Sequence, residues 1–165
     1  MLIDWNRNLK EHYPLSFTNC PDFAYSDIEC HGGWLTLIER MLDSIESHLV
    51  SLPKNSKVRK NFVVEQIKEK FGGLRVYVNG ADDFIYDKIV QTEKDSKHIC
   101  EFCGLGGAMS KNGHYYRTVC GDCRITKEYE LVTPDPKIKE SLDGVNKRYG
   151  KTLKRLADSE REEHK

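Results

Sequence analysis

Cys100-Glu-Phe-Cys103-Gly104 and, with sixteen residues between Cys103 and Cys120, Cys120-Gly-Asp-Cys123: these two short stretches decide how the chain is read. Two thiolates two residues apart reach one tetrahedral metal from a single tight turn, and two such turns close the coordination sphere. A closed four-thiolate sphere keeps no open position, so the spacing points to a structural zinc rather than a catalytic one. Four-thiolate iron is the chemical competitor, and a cell offering zinc favours zinc here. Gly104 lets the backbone turn back after the second thiolate. Between the pairs, Asn112-Gly113 is a strong hairpin signal, flanked by His114, Tyr115, Tyr116 and Val119. After Cys123 no glycine follows, and the composition of residues 124–131 tolerates a helix. Knuckle, hairpin, then ligands on the first turn of a helix is the order of a treble-clef-like finger; a rubredoxin-like ribbon with two knuckles is the alternative. Structural zinc contributes roughly 10–16 kcal/mol in small fingers, so residues 98–131 are expected to be unfolded without metal.

Working outward, the expected fold is α+β: a small helix/strand core, the four-cysteine finger, and a C-terminal helix with a heptad pattern. Three parts follow, residues 1–97, 98–133 and 134–165. Residues 1–32 carry Trp5, Tyr13, Phe17, Phe23 and Tyr25 with Pro14 and Pro21, and read as an irregular segment whose rings wrap over a core. Gly32-Gly33 opens an amphipathic helix in which Trp34, Leu37, Ile38, Met41, Leu42, Ile45, Leu49 and Leu52 form one apolar stripe, stopped by Pro53. Val63, Ile67 and Phe71 recur every fourth residue before Gly72-Gly73, so residues 58–78 read as helix followed by a strand over 74–78. A hairpin turning at the glycine pair is the competing reading. Residues 82–96 read as helical, with Phe84, Ile85, Ile89 and Val90 apolar and Asp82-Asp83 suited to a helix N-terminus. Beyond Pro134 and Pro136, Ile138, Leu142, Val145, Tyr149, Leu153 and Leu156 step by three and four on an otherwise charged segment. That stripe packs on its own domain or makes a homodimer or partner contact.

The 26 Lys and Arg balance 26 Asp and Glu, which argues against a protein that coats nucleic acid by bulk charge. The N-terminus lacks the basic and apolar regions of a signal peptide, and no apolar run is long enough to span a membrane. Four of six cysteines stand at metal spacing, which fits a reducing compartment. The expected setting is soluble and cytoplasmic.

Other chemistry is thin. Cys20, Cys30 and His31 could form a second metal site with His12, His48, His98 or His114, but the spacing from Cys20 to Cys30 matches no ligand pair, and free cysteine often serves as a small buried hydrophobe. His114 near the finger suggests an HNH-type nuclease, but residues 124–131 offer Glu128 and Glu130 and no further histidine or asparagine for a catalytic metal. Lys70-Phe-Gly-Gly-Leu-Arg75 lacks the remaining glycines and the Lys-Ser/Thr pair of a phosphate loop. No carboxylate pair stands isolated in an apolar setting. The stretch from Lys111 to Arg124, with His114, Tyr115, Tyr116 and Arg117, is the best nucleic-acid candidate, since tyrosines stack on unpaired bases and cations meet phosphates.

Four segments together resemble a family of small zinc-finger-containing proteins encoded by phages and prophages: Tyr13-Pro-Leu-Ser-Phe17, Gly33-Trp-Leu-Thr-Leu-Ile38, Gln66-Ile-Lys-Glu-Lys-Phe-Gly-Gly-Leu-Arg-Val-Tyr77, and Cys100-x-x-Cys-Gly with Thr118-Val-Cys120-x-x-Cys123. Where that family often has a final histidine this chain has Cys123, which keeps a zinc ligand. The resemblance implies no catalytic residues. It implies a phage-encoded accessory factor acting in the host bacterial cytoplasm. The expected role is a non-enzymatic protein that binds a host macromolecule, a protein first, to inhibit or redirect a host enzyme or defence system. A nucleic-acid-binding regulator using the finger hairpin is the alternative, and a metal-dependent nuclease ranks last.

Overall fold

The computed structural model describes residues 5–17 and 28–133. The C-terminal stripe from Ile138 to Leu156, and Cys20, Pro21, Phe23 and Tyr25, lie outside the described residues. The chain divides into two compact units, Met1–Val132 and Thr133–Lys165.

The N-terminal segment, expected to be irregular, forms two short helices, α1 (Trp5–His12) and α2 (Pro14–Phe17). Leu9, Tyr13 and Phe17 are buried in the core. Hydrogen bonds fix the segment in place: the Tyr13 hydroxyl donates to Asp43 (2.8 Å) and the Leu15 N–H donates to the Glu46 carboxylate (2.8 Å). After strand β1 (Ile28–Glu29), a 3-10 turn (Gly32–Trp34) leads into α3 (Leu35–Ser51). The stripe expected there is real: Leu37, Ile38, Met41, Leu42, Ile45 and Leu49 are all buried. All of these but Leu37 pack with Phe62, Val64, Ile67, Leu74, Val76, Ile85 and Ile89 into one core.

The helix expected from residue 58 is corrected. Only α4 (Lys57–Asn61) is helical, capped by the Ser56 hydroxyl, and it is followed by the hairpin β2 (Val63–Lys70) and β3 (Gly73–Asn79). The strand pairing carries a β-bulge between Val64 and Gln66. An extra residue in one strand moves two side chains three positions apart onto the same face. Val64 and Ile67 therefore both enter the core opposite Val78 and Val76, while Val63, the first member of the apparent stripe, pairs with Asn79 on the other face. Phe71, the third member of the apparent stripe, is not in the core at all but 74% exposed at the turn.

Helix α5 (Asp83–Ser96) matches its expected span, with Ile85 and Ile89 inward and Phe84 and Val90 outward. It also covers the free edge of β3: Leu74 N–H donates to Ser96 Oγ (2.9 Å) and Val76 N–H to Glu93 Oε1 (3.0 Å). Edge groups engaged in this way cannot template another strand. The first sheet has the order β1-β2-β3, with β1 parallel to β2 and β2 antiparallel to β3. The second has the order β5-β4-β6, from β4 (Ala108–Asn112), β5 (Tyr115–Val119) and β6 (Glu130–Leu131), with α6 (Gly121–Thr126) between β5 and β6.

Candidate metal centre

The Sγ atoms of Cys100, Cys103, Cys120 and Cys123 all lie within 4.8 Å of one another, with Cys103 and Cys120 3.5 Å apart. A metal at about 2.3 Å from each sulfur requires sulfurs at about this separation. The first pair sits on a tight reversal: the Cys100 carbonyl accepts from Gly104 N–H (2.9 Å), and Cys100 N–H donates to the Leu105 carbonyl (2.6 Å). Gly104 has φ +80°, which a side chain would strain. The second pair is set by α6. Cys120 is its N-cap, and its sulfur accepts from Cys123 N–H (3.4 Å).

The electrostatics of four adjacent thiols fit a cation. The Cys123 N–H brings the Cys120 thiol down to about 7. Burial, then the sulfurs of Cys103, Cys120 and Cys100, push Cys123 up to about 12. Four like-charged thiolates cannot share so small a volume without a counter-charge, and a coordinated metal supplies it. Among the described residues this is the one group of His, Cys, Asp and Glu side chains placed to hold a metal ion. Cys30 stands apart from it, its thiol pushed up to about 12 by burial, and His31 packs against Phe102 with the ring centroids 4.6 Å apart and the planes tilted by 41°.

The knuckle is seated on the core through its backbone. Gly33 N–H donates to the Glu101 carbonyl (2.8 Å), and the buried Trp34 indole donates to the Ile99 carbonyl (2.8 Å). A Cβ on Gly33 would come within 2.4 Å of the Cys100 carbonyl, 2.6 Å of the Glu101 carbonyl and 2.7 Å of Cys103 N. On the hairpin side, Thr118 Oγ1 donates to the Gly72 carbonyl at 2.6 Å, and Met109 Sδ occupies the space that a Cβ on Gly72 would need. The Gly33-Trp and Phe-Gly-Gly segments singled out in the sequence are thus the two seats of the metal-site region.

Sequence reasoning missed the residue that joins these parts. Glu101, inside the first cysteine pair, is wholly buried. One carboxylate oxygen accepts from His31 N–H (3.1 Å), and the other pairs with the Arg117 guanidinium. Burial by itself would lower the Arg117 pKa; the Glu101 carboxylate reverses that and raises it.

This pairing also bears on the nucleic-acid candidates. Lys111 lies opposite Tyr116, while Arg117 lies opposite Ser110 and Tyr115 opposite Asn112. Side chains alternate along a strand, so Lys111 and Tyr116 point to one face of the hairpin and Tyr115 and Arg117 to the other. His114 is exposed in the turn and Arg124 is half-buried on α6. Lys111 further pairs with Glu130 at 3.8 Å. The six residues do not gather on one surface. A cleft of about 350 Å³ beside the knuckle is lined by Gly32, Gly33, Thr36, Arg40, Cys103 and Gly104 among others, and no carboxylate or imidazole faces it.

No helix among the described residues is long and apolar enough to cross a membrane. Compared with protein-family models, curated proteins and solved structures, the chain matches none.

Proposed function

We propose that this chain is a non-enzymatic binding protein of phage type, built around one structural zinc in a treble-clef-like finger, which occupies the surface of a host protein in the bacterial cytoplasm and so inhibits or redirects a host enzyme or defence system. The knuckle, the hairpin and Cys120 capping α6 support the treble-clef assignment, and four thiolate donors with no open position support zinc in a structural role. One observation carries the choice of a protein partner. The two central cations of the finger, Lys111 and Arg117, are engaged in ion pairs within the molecule, while Leu105 (61%), Tyr115 (74%) and Ile125 (79%) stand in solvent. Exposed apolar side chains grouped on one module mark contact surfaces.

The test is retention of partners from bacterial lysate on the tagged, zinc-loaded protein, with and without nuclease, at low and high salt. A host protein held after nuclease treatment and in high salt supports this reading. Material released by nuclease, with binding that falls steeply as salt rises, supports the nucleic-acid regulator instead, for which Tyr115 and Tyr116 keep exposed rings. Cleavage of DNA or RNA on adding magnesium or manganese would overturn both in favour of a nuclease. The C-terminal stripe offers a second contact, a homodimer. Replacing Leu142 and Leu153 by Glu shifts the sedimentation of such a dimer to that of a monomer, and an unaltered profile removes it.

A further inference from the structure

We infer that Phe71 is the anchor with which the protein grips its partner, and that the matching surface is an apolar pocket on a protein, edged by carboxylates. This rests on the binding-protein reading above and names the contact that reading leaves open.

Phe71 and Gly72, the central residues of the β2–β3 turn, have φ +50° and +76°. Two left-handed residues in a row make the tight hairpin turn that Asn-Gly or Gly-Gly normally fills. For a bulky side chain this conformation is an outlier. Burial does not offset it, because Phe71 is 74% exposed. Asparagine would satisfy the same backbone with less strain, so the fold has no need of the ring.

The base under the ring is rigid. Gly72 N–H donates to Glu69 Oε1 at 2.7 Å, the Gly72 carbonyl accepts the buried Thr118 hydroxyl at 2.6 Å, and Met109 packs against Gly72. An aromatic carried on a fixed backbone turn loses less freedom on binding than one on a mobile loop, which is what a strong contact residue requires. Strain at a site over-determined by its surroundings is typical of places where a protein meets a ligand.

The charges nearby specify the pocket. Lys70 Nζ lies 5.9 Å from the Phe71 ring centroid, and the Lys97 side chain runs over Gly73. Neither lysine is in an ion pair among the described residues, and Glu69 is turned toward the Gly72 N–H. Two lysines outside any ion pair, one at the ring and one beside Gly73, form a spot. Single-stranded nucleic acid is held by successive aromatic platforms along a basic groove, whereas an apolar pocket with an acidic rim is complementary to a spot.

Two measurements test this. The first is thermal unfolding of Phe71→Asn, expected at or above the wild-type temperature; unfolding below it would make the ring structural and overturn the inference. The second replaces Phe71, or in a separate variant Ile125, with the photocrosslinker p-benzoylphenylalanine in the full chain expressed in bacterial cells. The expected result is a protein adduct at position 71, with retention of the adduct partner reduced at least tenfold both by Phe71→Asn and by Lys70→Glu with Lys97→Glu. A nucleic-acid adduct, or retention indifferent to the lysine reversal, overturns the inference. Adducts at 125 with none at 71 overturn it while the binding-protein reading stands; no adduct at either position overturns both.

Discussion

A carboxylate with no solvent exposure survives in a fold only if its charge is matched, and Glu101 is matched by the Arg117 guanidinium and the His31 N–H. Removing one partner of a buried ion pair leaves the other uncompensated, at a cost of about 3–5 kcal/mol. The Arg117 side chain keeps 22% exposure, which places Glu101→Ala at the lower end, about 3 kcal/mol. Glu101→Gln retains an acceptor for His31 and is expected to fall between the two. Urea unfolding of the zinc-loaded proteins checks this, and a loss of less than ~0.5 kcal/mol for the alanine variant, the range of ordinary surface changes, would contradict it. The four cysteines were legible because thiol spacing is itself the chemistry. Glu101 was not, since a pair of ligands two residues apart says nothing about which residue between them faces inward. The same holds for Gly33, whose role is to let two backbones touch.

Among the elements, α3 was legible because eight apolar residues, from Trp34 at its N-cap to Leu52 at its C-cap, repeat at helical steps. The β2–β3 hairpin was not, because Val63, Ile67 and Phe71 recur every fourth residue without sharing a face, and only the cross-strand pairing shows this. Helix α5 carries a prediction of its own. Asp82 caps it, accepting Ile85 N–H at 3.1 Å, and also bonds His48 near the end of α3 at 2.8 Å. Burial would raise the Asp82 pKa, but the His48 and Ile85 hydrogen bonds prevail and hold it below its ordinary value of 3.8. A carboxyl depressed in the folded state stabilises the fold above the unfolded value, and that stabilisation is lost as pH falls through the folded one. Asp82→Asn keeps a good cap while removing the charge, so its stability deficit relative to wild type should hold at pH 6–7 and shrink as the solution is acidified below pH 4. Asp82→Ala loses the cap as well, about 1 kcal/mol more. Urea unfolding across this pH range decides it; a deficit that grows on acidification would mean the sign is wrong.

At the scale of the whole molecule, the metal-site region and the helix-and-strand core lie in the same compact unit, and residues 133–165 form another. A chain truncated after Pro136 is therefore expected to fold, with the unfolding cooperativity of its core intact; aggregation would show that the core needs the residues beyond. How the finger joins the core was not legible, because its seats are backbone hydrogen bonds and absent Cβ atoms, which leave no mark beyond a glycine. The seating has a consequence for metal removal. If the four cysteines hold a metal, its removal takes away the constraint between Cys100 and Cys103, and the Ile99 and Glu101 carbonyls are expected to leave Trp34 and Gly33 with it. Trp34, wholly buried with its indole bonded to Ile99, then meets water. The expected observation is a red shift of tryptophan emission on adding a strong chelator, recorded in a Trp5→Phe background because the chain has only two tryptophans. Zinc should restore the spectrum, and Cys103→Ser should show the shifted spectrum without chelator and a reduced zinc content. An unshifted Trp34 in metal-free protein would mean that the finger melts alone and the core stands without it.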